Sequence, residues 1–156
     1  TPPYVLVGHS TGGGYMELFA KAHPDEVLGV VLVDPRHRDF LSTCEQAGIK
    51  ACGVPDSVLS SVPAIEASEY TEFAKAPDEI RAAGSFGSYP VRVLTATDHP
   101  YSQEWEALWQ SLLGSLAAEA SKGKQIFFQG AGHHLEMERP DGVSNSILEL
   151  VWTAGK

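Results

Sequence analysis

Val5-Leu6-Val7-Gly8-His9-Ser10-Thr11-Gly12-Gly13-Gly14 is the stretch of this sequence that decides the fold. It opens with an apolar, β-branched run that is typical of a buried strand, and it closes with three glycines. A helical pattern follows, in which Met16, Phe19 and Ala20 are spaced at i, i+3 and i+4. The stretch therefore predicts a strand that runs into a sharp turn and then into a helix.

Within this stretch, Gly8, Ser10 and Gly12 form the pattern G-x-S-x-G. A serine between a strand end and a helix start lies in strained backbone, with its hydroxyl projecting from the turn. We expect glycine to be required at both flanking positions because a side chain at either one would clash. The alternative is a glycine-rich turn with a solvated serine. It is disfavoured because the motif lies in the strand–turn–helix context of a nucleophile.

The start of the predicted helix adds an electrostatic argument. The first N–H groups of a helix have no partner within it, and they form the positive end of its dipole. We therefore expect the backbone N–H of Thr11 to donate to an oxyanion that forms on a substrate carbonyl.

The composition is that of an ordinary globular protein. With 156 residues, of which 43% are hydrophobic and 20% charged, the chain is long enough for one domain with a core. A net charge of −9 disfavours nucleic acid and anionic membranes as partners. There is no bilayer-spanning apolar run and no secretory signal at the start, which slightly favours a cytoplasmic location. A start at Thr1 is also compatible with a missing upstream segment.

Cys44 and Cys52 lie close together in a segment that we expect at the surface. A small disulfide and two free thiols are both compatible with this spacing. The spacing fits no zinc pattern, and His37 and His99 have no ligand spacing between them. The sequence therefore indicates no metal site and no cofactor.

Four apolar runs are predicted to be strands, at residues 4–7, 29–33, 91–95 and 125–128. Continuous apolar runs, rather than alternating ones, favour a parallel sheet that is covered on both faces. Helical patterns alternate with these strands. We therefore predict an α/β fold of three layers, with a doubly wound, mostly parallel sheet of about four strands, in a single domain of residues 1–156.

Three long helices are predicted at residues 13–23, 105–118 and 140–152. In the last helix we expect four apolar side chains to face inward, namely Val143, Ile147, Leu148 and Val151. Residues 36–89 are more polar and are interrupted by glycine and proline. We interpret 36–89 as a helical cap inserted into the domain, with short helices near 40–47, 67–76 and 77–83.

Four residues of catalytic type follow the ends of the predicted strands, namely Ser10, Asp34, Asp98 and His133. The carboxyl ends of parallel strands meet at one edge of a sheet, so we expect these residues to lie together. A serine, a carboxylate and a histidine can act as nucleophile, orienting group and base.

The sequence resembles the α/β-hydrolase superfamily, in its serine esterase and lipase branch. The resemblance is carried by residues 5–13, by Leu32-Val33-Asp34-Pro35, and by Gly130-Ala131-Gly132-His133 with Glu138-Arg139-Pro140 behind it. The order of serine, acid and histidine is also that of the family. The matched segments are similar to the family's strands conventionally numbered five to eight. The resemblance thus implies that the N-terminal half of the fold, with the loop that carries the second oxyanion donor, lies outside residues 1–156.

The resemblance implies a role for each matching residue. Ser10 is expected to be the nucleophile, and His133 the base that takes its proton and returns it to the leaving group. His133 is favoured over His134 because the family places its histidine directly after the loop glycine. His9 is expected to shape the elbow and to lie beneath the substrate pocket.

Two aspartates are candidates for the acid. Asp98 follows the third strand, where most of the superfamily carries its acid, but it lies one position short of the usual spacing from Pro90. Asp34 follows the second strand, which resembles lipases whose acid comes one strand earlier. We place Asp34 first and Asp98 second.

The expected function is hydrolysis of carboxylic esters of small or moderately apolar substrates through an acyl-enzyme on Ser10. Two alternatives are a hydrolase-like binding protein or receptor with little turnover, and an inactive fragment of a larger hydrolase. The strand at 4–7 would form an exposed apolar edge, with Met16 or Phe19 exposed beside it. We therefore also expect a homo-oligomer, or a separate N-terminal half that complements this chain.

Overall fold

Four parallel strands form the centre of the molecule, in the order β1-β2-β3-β4. They are β1 (Tyr4–His9), β2 (Val27–Val33), β3 (Val91–Ala96) and β4 (Gly123–Phe128). The structure is a computed structural model that describes residues 1–73 and 76–153. All three strand pairings are parallel, which confirms the predicted α/β class and the parallel sheet.

Helices cover both faces of this sheet. α1 (Thr11–Ala22) follows β1, and α6 (Gln103–Ala118) follows β3. Both pack on the face that receives Val30 and Leu32 of β2. After the short α7 (Leu135–Glu138), α8 (Pro140–Thr153) packs on the opposite face, where Val31 and Val33 lie. The residues of β2 alternate between two cores, which explains why its sequence is continuously apolar.

The side of α8 that faces the sheet differs from the side that its sequence pattern predicts. Val143 and Leu150 are buried, but Leu148 and Val151 are 39% and 44% exposed. The inward stripe runs through Val143, Ile147 and Leu150 because the helix packs mainly across β2. The expectation that Leu148 and Val151 face inward is therefore wrong.

The connection between β2 and β3 is the least regular part of the chain. Its described residues form four helices: α2 (Phe40–Gln46), α3 (Asp56–Leu59), α4 (Ala64–Phe73) and α5 (Ala76–Ala82). α3 was not expected, and α4 begins directly after Pro63, three residues before the predicted start. Residues 74 and 75, at the end of the predicted 67–76 helix, lie outside the described residues. The interpretation of 36–89 as a cap stays a prediction.

A disulfide and a pair of salt bridges stabilise the start of this connection. Cys44 and Cys52 form a disulfide, with their Cα atoms 5.7 Å apart. Both side chains are buried, although the segment between them lies at the surface as expected, since most of residues 45–51 are exposed. Before the disulfide in the chain, Arg38 forms ion pairs with Glu17 of α1 and with Glu119, which follows α6. The connection is thereby held against both helices of one face.

β1 lies at an edge of the described sheet and pairs there only with β2. Its Tyr4 and Val7 side chains are exposed. Met16 and Phe19 of α1 are half-buried against the core, not exposed as expected, because α1 covers β1 and β2. Because this edge is exposed, a homo-oligomer or a separate complementing half stays a prediction. Within the described residues, no helix has the length and apolar character needed to cross a bilayer.

Candidate active site

Ser10 lies in the turn between β1 and α1, with a φ of 52°. A positive φ is unusual for a residue other than glycine and marks strained backbone. A Cβ at Gly8 would lie 2.4 Å from the carbonyl oxygen of Gly12, and one at Gly13 would lie 2.5 Å from Cβ of Pro35. A Cβ at Gly12 would meet no atom within 4 Å, so the expected clash there is wrong. Gly8 and Gly13 are the positions where the turn is closely packed.

Thr11 begins α1 directly after this serine. Its backbone N–H lies in the first turn, where helical N–H groups have no partner within the helix. The Thr11 hydroxyl oxygen is buried and has no hydrogen-bond partner among the described residues. The turn therefore presents polar atoms of Ser10 and Thr11 close together at the sheet edge.

Asp34 follows β2 and is fully buried, with a φ of 40°. Its backbone N–H donates to the carbonyl of Leu94 at 2.8 Å. Oδ1 accepts hydrogen bonds from the Ala96 N–H and from Nε1 of Trp109, both at 3.0 Å. Oδ2 lies 2.7 Å from Nδ1 of His133. The carboxylate is therefore fixed in orientation by groups from β3, α6 and the loop after β4.

A second histidine contacts the same carboxylate oxygen. Nε2 of His99 lies 2.8 Å from Oδ2 of Asp34, and Nδ1 of His99 lies 2.9 Å from Oε2 of Glu106 on α6. The ring is buried beside Trp105 and Trp109, with ring centroids 4.9 and 5.5 Å away. Glu106, His99, Asp34 and His133 thus form one continuous hydrogen-bonded row.

The electrostatics of this row follow from its hydrogen bonds. Burial alone would raise the pKa of Asp34, but the hydrogen bonds from His133 and His99 outweigh it and lower the pKa to about 2. Burial alone would lower the pKa of His99, but the hydrogen bonds and charges of Asp34 and Glu106 raise it. Asp34 is therefore ionised at neutral pH, and the row favours a proton on His99.

The loop that carries His133 is tied to the end of β3. The carbonyl of Ala131 accepts hydrogen bonds from the N–H groups of Thr97 and Asp98, both at 3.1 Å. Gly130 has a φ of 65°, a conformation that glycine adopts without strain. The Gly132 N–H donates to the carboxylate of Glu138 at 3.0 Å. These bonds hold His133 over Asp34.

The structure brings Asp34, and not Asp98, to His133. The Asp98 side chain is exposed and makes no hydrogen bond to His133. His134 is exposed, and its Nδ1 lies 3.1 Å from Oε1 of Glu136. His9 is half-buried, with Nε2 2.9 Å from the carbonyl oxygen of His133, and burial lowers its pKa. His9 therefore lies against the main chain of the histidine loop.

Ser10 and His133 line one open cavity of about 900 Å³. Among the described residues, no hydrogen bond joins the Ser10 hydroxyl to His133. Such contacts are often long before substrate binds. His133 uses Nδ1 for Asp34, so Nε2 is the ring nitrogen that this contact leaves available.

The walls of this cavity are largely apolar and come from several elements. The α6 side contributes Trp105 and Trp109, and the β2–β3 connection contributes Phe40, Val58 and Ile65. Arg36, directly after the Asp34-Pro35 pair, also lines the cavity. Its Nη2 donates to the carbonyl of Cys52 at 3.2 Å. The arrangement can hold an apolar group above the serine.

Two clusters bring nitrogen and carboxylate atoms within 4.8 Å of one another, a spacing that a metal ion could bridge. They are Asp34, His99 and His133, and His9, His134 and Glu136. In the first cluster these atoms are already paired with one another in the hydrogen bonds described above. We therefore treat that cluster as a proton network and assign no ion to either.

Sequence reasoning missed His99, Glu106 and Trp109 as parts of the site. His99 was considered only as a metal ligand. One signal could have found it: Asp98 falls one position short of the family's spacing from Pro90, so His99 occupies the position of the usual acid.

Comparison with known proteins agrees with this fold. No protein-family model matches the chain. It is 26% identical over 156 residues to protein YqjL of Bacillus subtilis, an alignment covering 98% of this chain and 58% of that protein's length.

Solved structures agree at the level of fold. A monoacylglycerol lipase from Paleococcus ferrophilus matches 96% of this chain and 68% of its own, with 19% identity and a TM-score of 0.54. An esterase from Thermogutta terrifontis matches 100% and 67%, with 20% identity and a TM-score of 0.56. An α/β-hydrolase fold protein from Burkholderia ambifaria matches 95% and 66%, with 18% identity and a TM-score of 0.58. The chain has the α/β-hydrolase fold, over about two thirds of these proteins' lengths.

Proposed function

We propose that this chain carries the catalytic triad of a serine hydrolase that cleaves carboxylic esters. The observation that supports this most strongly is the 2.7 Å contact between Oδ2 of Asp34 and Nδ1 of His133. This contact lies at the edge of the sheet that also carries the strained turn at Ser10. Ser10 and His133 line one cavity there. A nucleophile, a base and a buried acid that orients the base are the three parts such a triad needs.

The reaction proceeds in two steps. His133 takes the proton of the Ser10 hydroxyl at Nε2 while the serine oxygen attacks the ester carbonyl, and it then gives that proton to the leaving alcohol. Water attacks the resulting acyl-enzyme, again with His133 as base, and releases the carboxylic acid and free Ser10. Asp34 holds the imidazole by Nδ1 and stabilises the imidazolium that forms in each step.

The oxyanion of each step would lie near the start of α1. The Thr11 N–H is the donor that this chain offers there. We expect a second donor to come from outside residues 1–156. Loss of one such donor costs about 10²–10³ in kcat, so residues 1–156 alone would turn over slowly.

The cavity walls suggest the class of ester. Phe40, Val58 and Ile65 favour a small or moderately apolar group above Ser10. Two of the structures with this fold are described as a monoacylglycerol lipase and an esterase, which is consistent with ester chemistry.

The test combines covalent labelling with turnover. A fluorophosphonate probe should label Ser10, and p-nitrophenyl acetate and butyrate should be hydrolysed. Ser10→Ala and His133→Ala should each lower kcat by several orders of magnitude, and the double variant little further, because the residues act as a unit. His134→Ala is the matched control, since this neighbouring histidine contacts Glu136 and should keep most of the activity.

The same experiment separates the alternatives. A binding protein would be labelled without measurable turnover, and an inactive fragment would show neither. The fragment alternative has one observation in its favour, since the chain spans 58% of the length of its Bacillus relative. Near-wild-type hydrolysis by Ser10→Ala would refute the proposed nucleophile.

A further inference from the structure

His99 is placed between two carboxylates, and this placement fixes how many protons its ring carries. Its Nε2 lies 2.8 Å from Asp34 and its Nδ1 lies 2.9 Å from Glu106. A neutral imidazole has one N–H donor and one lone pair, and an ionised carboxylate can only accept. Both contacts are favourable together only when both ring nitrogens carry protons.

The partners of Glu106 support this proton count. Its Oε2 also accepts the backbone N–H of His99 at 3.1 Å, and its Oε1 accepts the side-chain amide of Gln110 at 2.6 Å. Both of these partners are donors, which an ionised Glu106 carboxylate can satisfy. Glu106 acts as an acceptor throughout, so the proton between it and His99 belongs to the ring.

The position of His99 on Asp34 is equally specific. Oδ1 of Asp34 is held by the Ala96 N–H and by Trp109, whereas Oδ2 is shared by His99 and His133. Removal of His99 would therefore release the same carboxylate oxygen that the base uses. A histidine that only filled space beside the tryptophans would not need to contact this atom.

We propose that His99, held as a cation by Glu106, is a positioning residue that fixes Oδ2 of Asp34 toward His133. This inference rests on the proposed function, because it assigns His99 a task in orienting the catalytic base. It goes beyond a three-residue triad, since two further residues take part through Asp34. Neither His99 nor Glu106 exchanges a proton with the substrate.

The first consequence concerns the acidic limb of the pH profile. The titratable groups that face His99 are Asp34 from the end of β2, Glu106 from α6 and the His133 ring at a centroid distance of 5.9 Å. A cation near His133 disfavours a proton on it. Loss of that cation removes a like charge beside the His133 ring, so the acidic limb of kcat/KM should move to higher pH.

The second consequence concerns the alkaline limb. The pKa of His99 is raised in the folded chain, so the contacts of the cation are present below that pKa and are lost as pH rises through it. Activity should fall over the same range. Removing the charge of Glu106 should lower the pKa of His99 and move the alkaline limb to lower pH.

The kinetic test uses His99→Phe and His99→Gln. Phenylalanine keeps the ring beside the tryptophans but provides no donor, and we expect kcat to fall on the order of 10- to 100-fold, as for other residues that orient a catalytic group. KM should change less than twofold. Glutamine provides a neutral N–H donor, so it should recover part of kcat while still moving the acidic limb upward.

The charge test uses Glu106→Gln, with Glu104→Gln as its matched control. Glu104 lies in the same first turn of α6 but is exposed. Only the Glu106 variant should shift the alkaline limb. Identical profiles for the two variants would overturn the proposal, as would a His99→Phe variant that folds and keeps wild-type kcat.

A spectroscopic measurement tests the proton count without turnover. In ¹⁵N-labelled protein at neutral pH, both ring nitrogens of His99 should report bound protons, and Glu106→Gln should lose one of them at lower pH than wild type. A single protonated ring nitrogen in wild type would overturn the proposal even if esters are cleaved. If Ser10 proves catalytically silent, the proposed function fails and this spectrum still decides the state of His99.

Discussion

The sheet edge that carries Ser10, Asp34 and His133 and the β2–β3 connection are held in opposite ways. At the edge, both oxygens of the buried Asp34 are hydrogen-bonded to groups from β3, α6 and the loops after β3 and β4. In the connection, α3 buries no residue, and α4 buries only Phe73. Val58 and Ile65, which line the cavity, are 38% and 73% exposed.

Under the proposed function, this difference predicts a division of tasks. Groups that handle protons must keep their geometry to within fractions of an ångström, and backbone and side-chain hydrogen bonds provide that. A wall that only contacts an apolar group can be attached at a few points and can adapt to its ligand. We therefore expect substitutions at the edge to act on kcat and substitutions in the connection to act on KM.

The largest effect on kcat is expected from a substitution of Asp34. Asp34→Asn keeps the size of the side chain but removes the charge that stabilises imidazolium on His133, and it can present an amide N–H to Nδ1. Loss of the corresponding carboxylate in a triad costs about 10⁴ in kcat. Steady-state kinetics on p-nitrophenyl butyrate should show this drop with KM little changed.

Asp98→Asn is the control for this substitution. Its side chain is exposed and, among the described residues, makes no hydrogen bond to His133, so we expect kcat within about twofold of wild type, as for other surface changes. The reverse ranking of the two variants would mean that the acid lies one strand later and that the fixed carboxylate of Asp34 has only a structural role.

The contrast between the two regions also explains what the sequence could predict. Ser10 and His133 could be singled out from the sequence because each lies in a short glycine-containing motif. The glycines are needed for local packing, as the close contact at Gly8 shows. The strands are readable because continuous apolar runs have few other uses in a short chain. Local patterns of this kind depend on few distant residues.

The remaining features depend on residues that meet only in the folded chain. Asp34 and Asp98 both follow strands, and the choice between them depends on the backbone at Asp34 and on His133, 99 residues away. His99 meets Asp34 across 65 residues. The side of α8 that faces inward depends on how the helix crosses β2, which periodicity alone did not reveal for Leu148.

A smaller effect is expected from opening the Cys44–Cys52 disulfide. The bond closes a short loop of eight-residue separation, and closing a loop of this length contributes about 2–3 kcal/mol in the chain-entropy account. The loop also carries the carbonyls that accept hydrogen bonds from Arg36 and Trp105 at the cavity. Dithiothreitol should lower Tm and raise KM, with a smaller change in kcat.

The double variant Cys44→Ala/Cys52→Ala controls for other effects of the reductant. It should already have the lower Tm and should not respond further to dithiothreitol. A reduced protein with lower kcat and unchanged KM would contradict the division of tasks, since it would show that the connection helps to hold the catalytic groups.

The smallest effect is expected at the exposed apolar wall. Ile65→Ser removes apolar surface that is already mostly in contact with water, so the free energy of unfolding should change by less than about 0.5 kcal/mol. Contact with a bound acyl chain is different, because each methylene that loses an apolar neighbour costs about 0.8 kcal/mol, or roughly fourfold in affinity. KM should therefore rise several-fold for p-nitrophenyl octanoate and stay constant for the acetate, which is too short to contact this wall.

Met137→Ser is the matched control for Ile65→Ser, because Met137 is 76% exposed but does not line the cavity. An equal change in KM for both esters, or an equal effect of the two substitutions, would mean that the β2–β3 connection does not contact the acyl group.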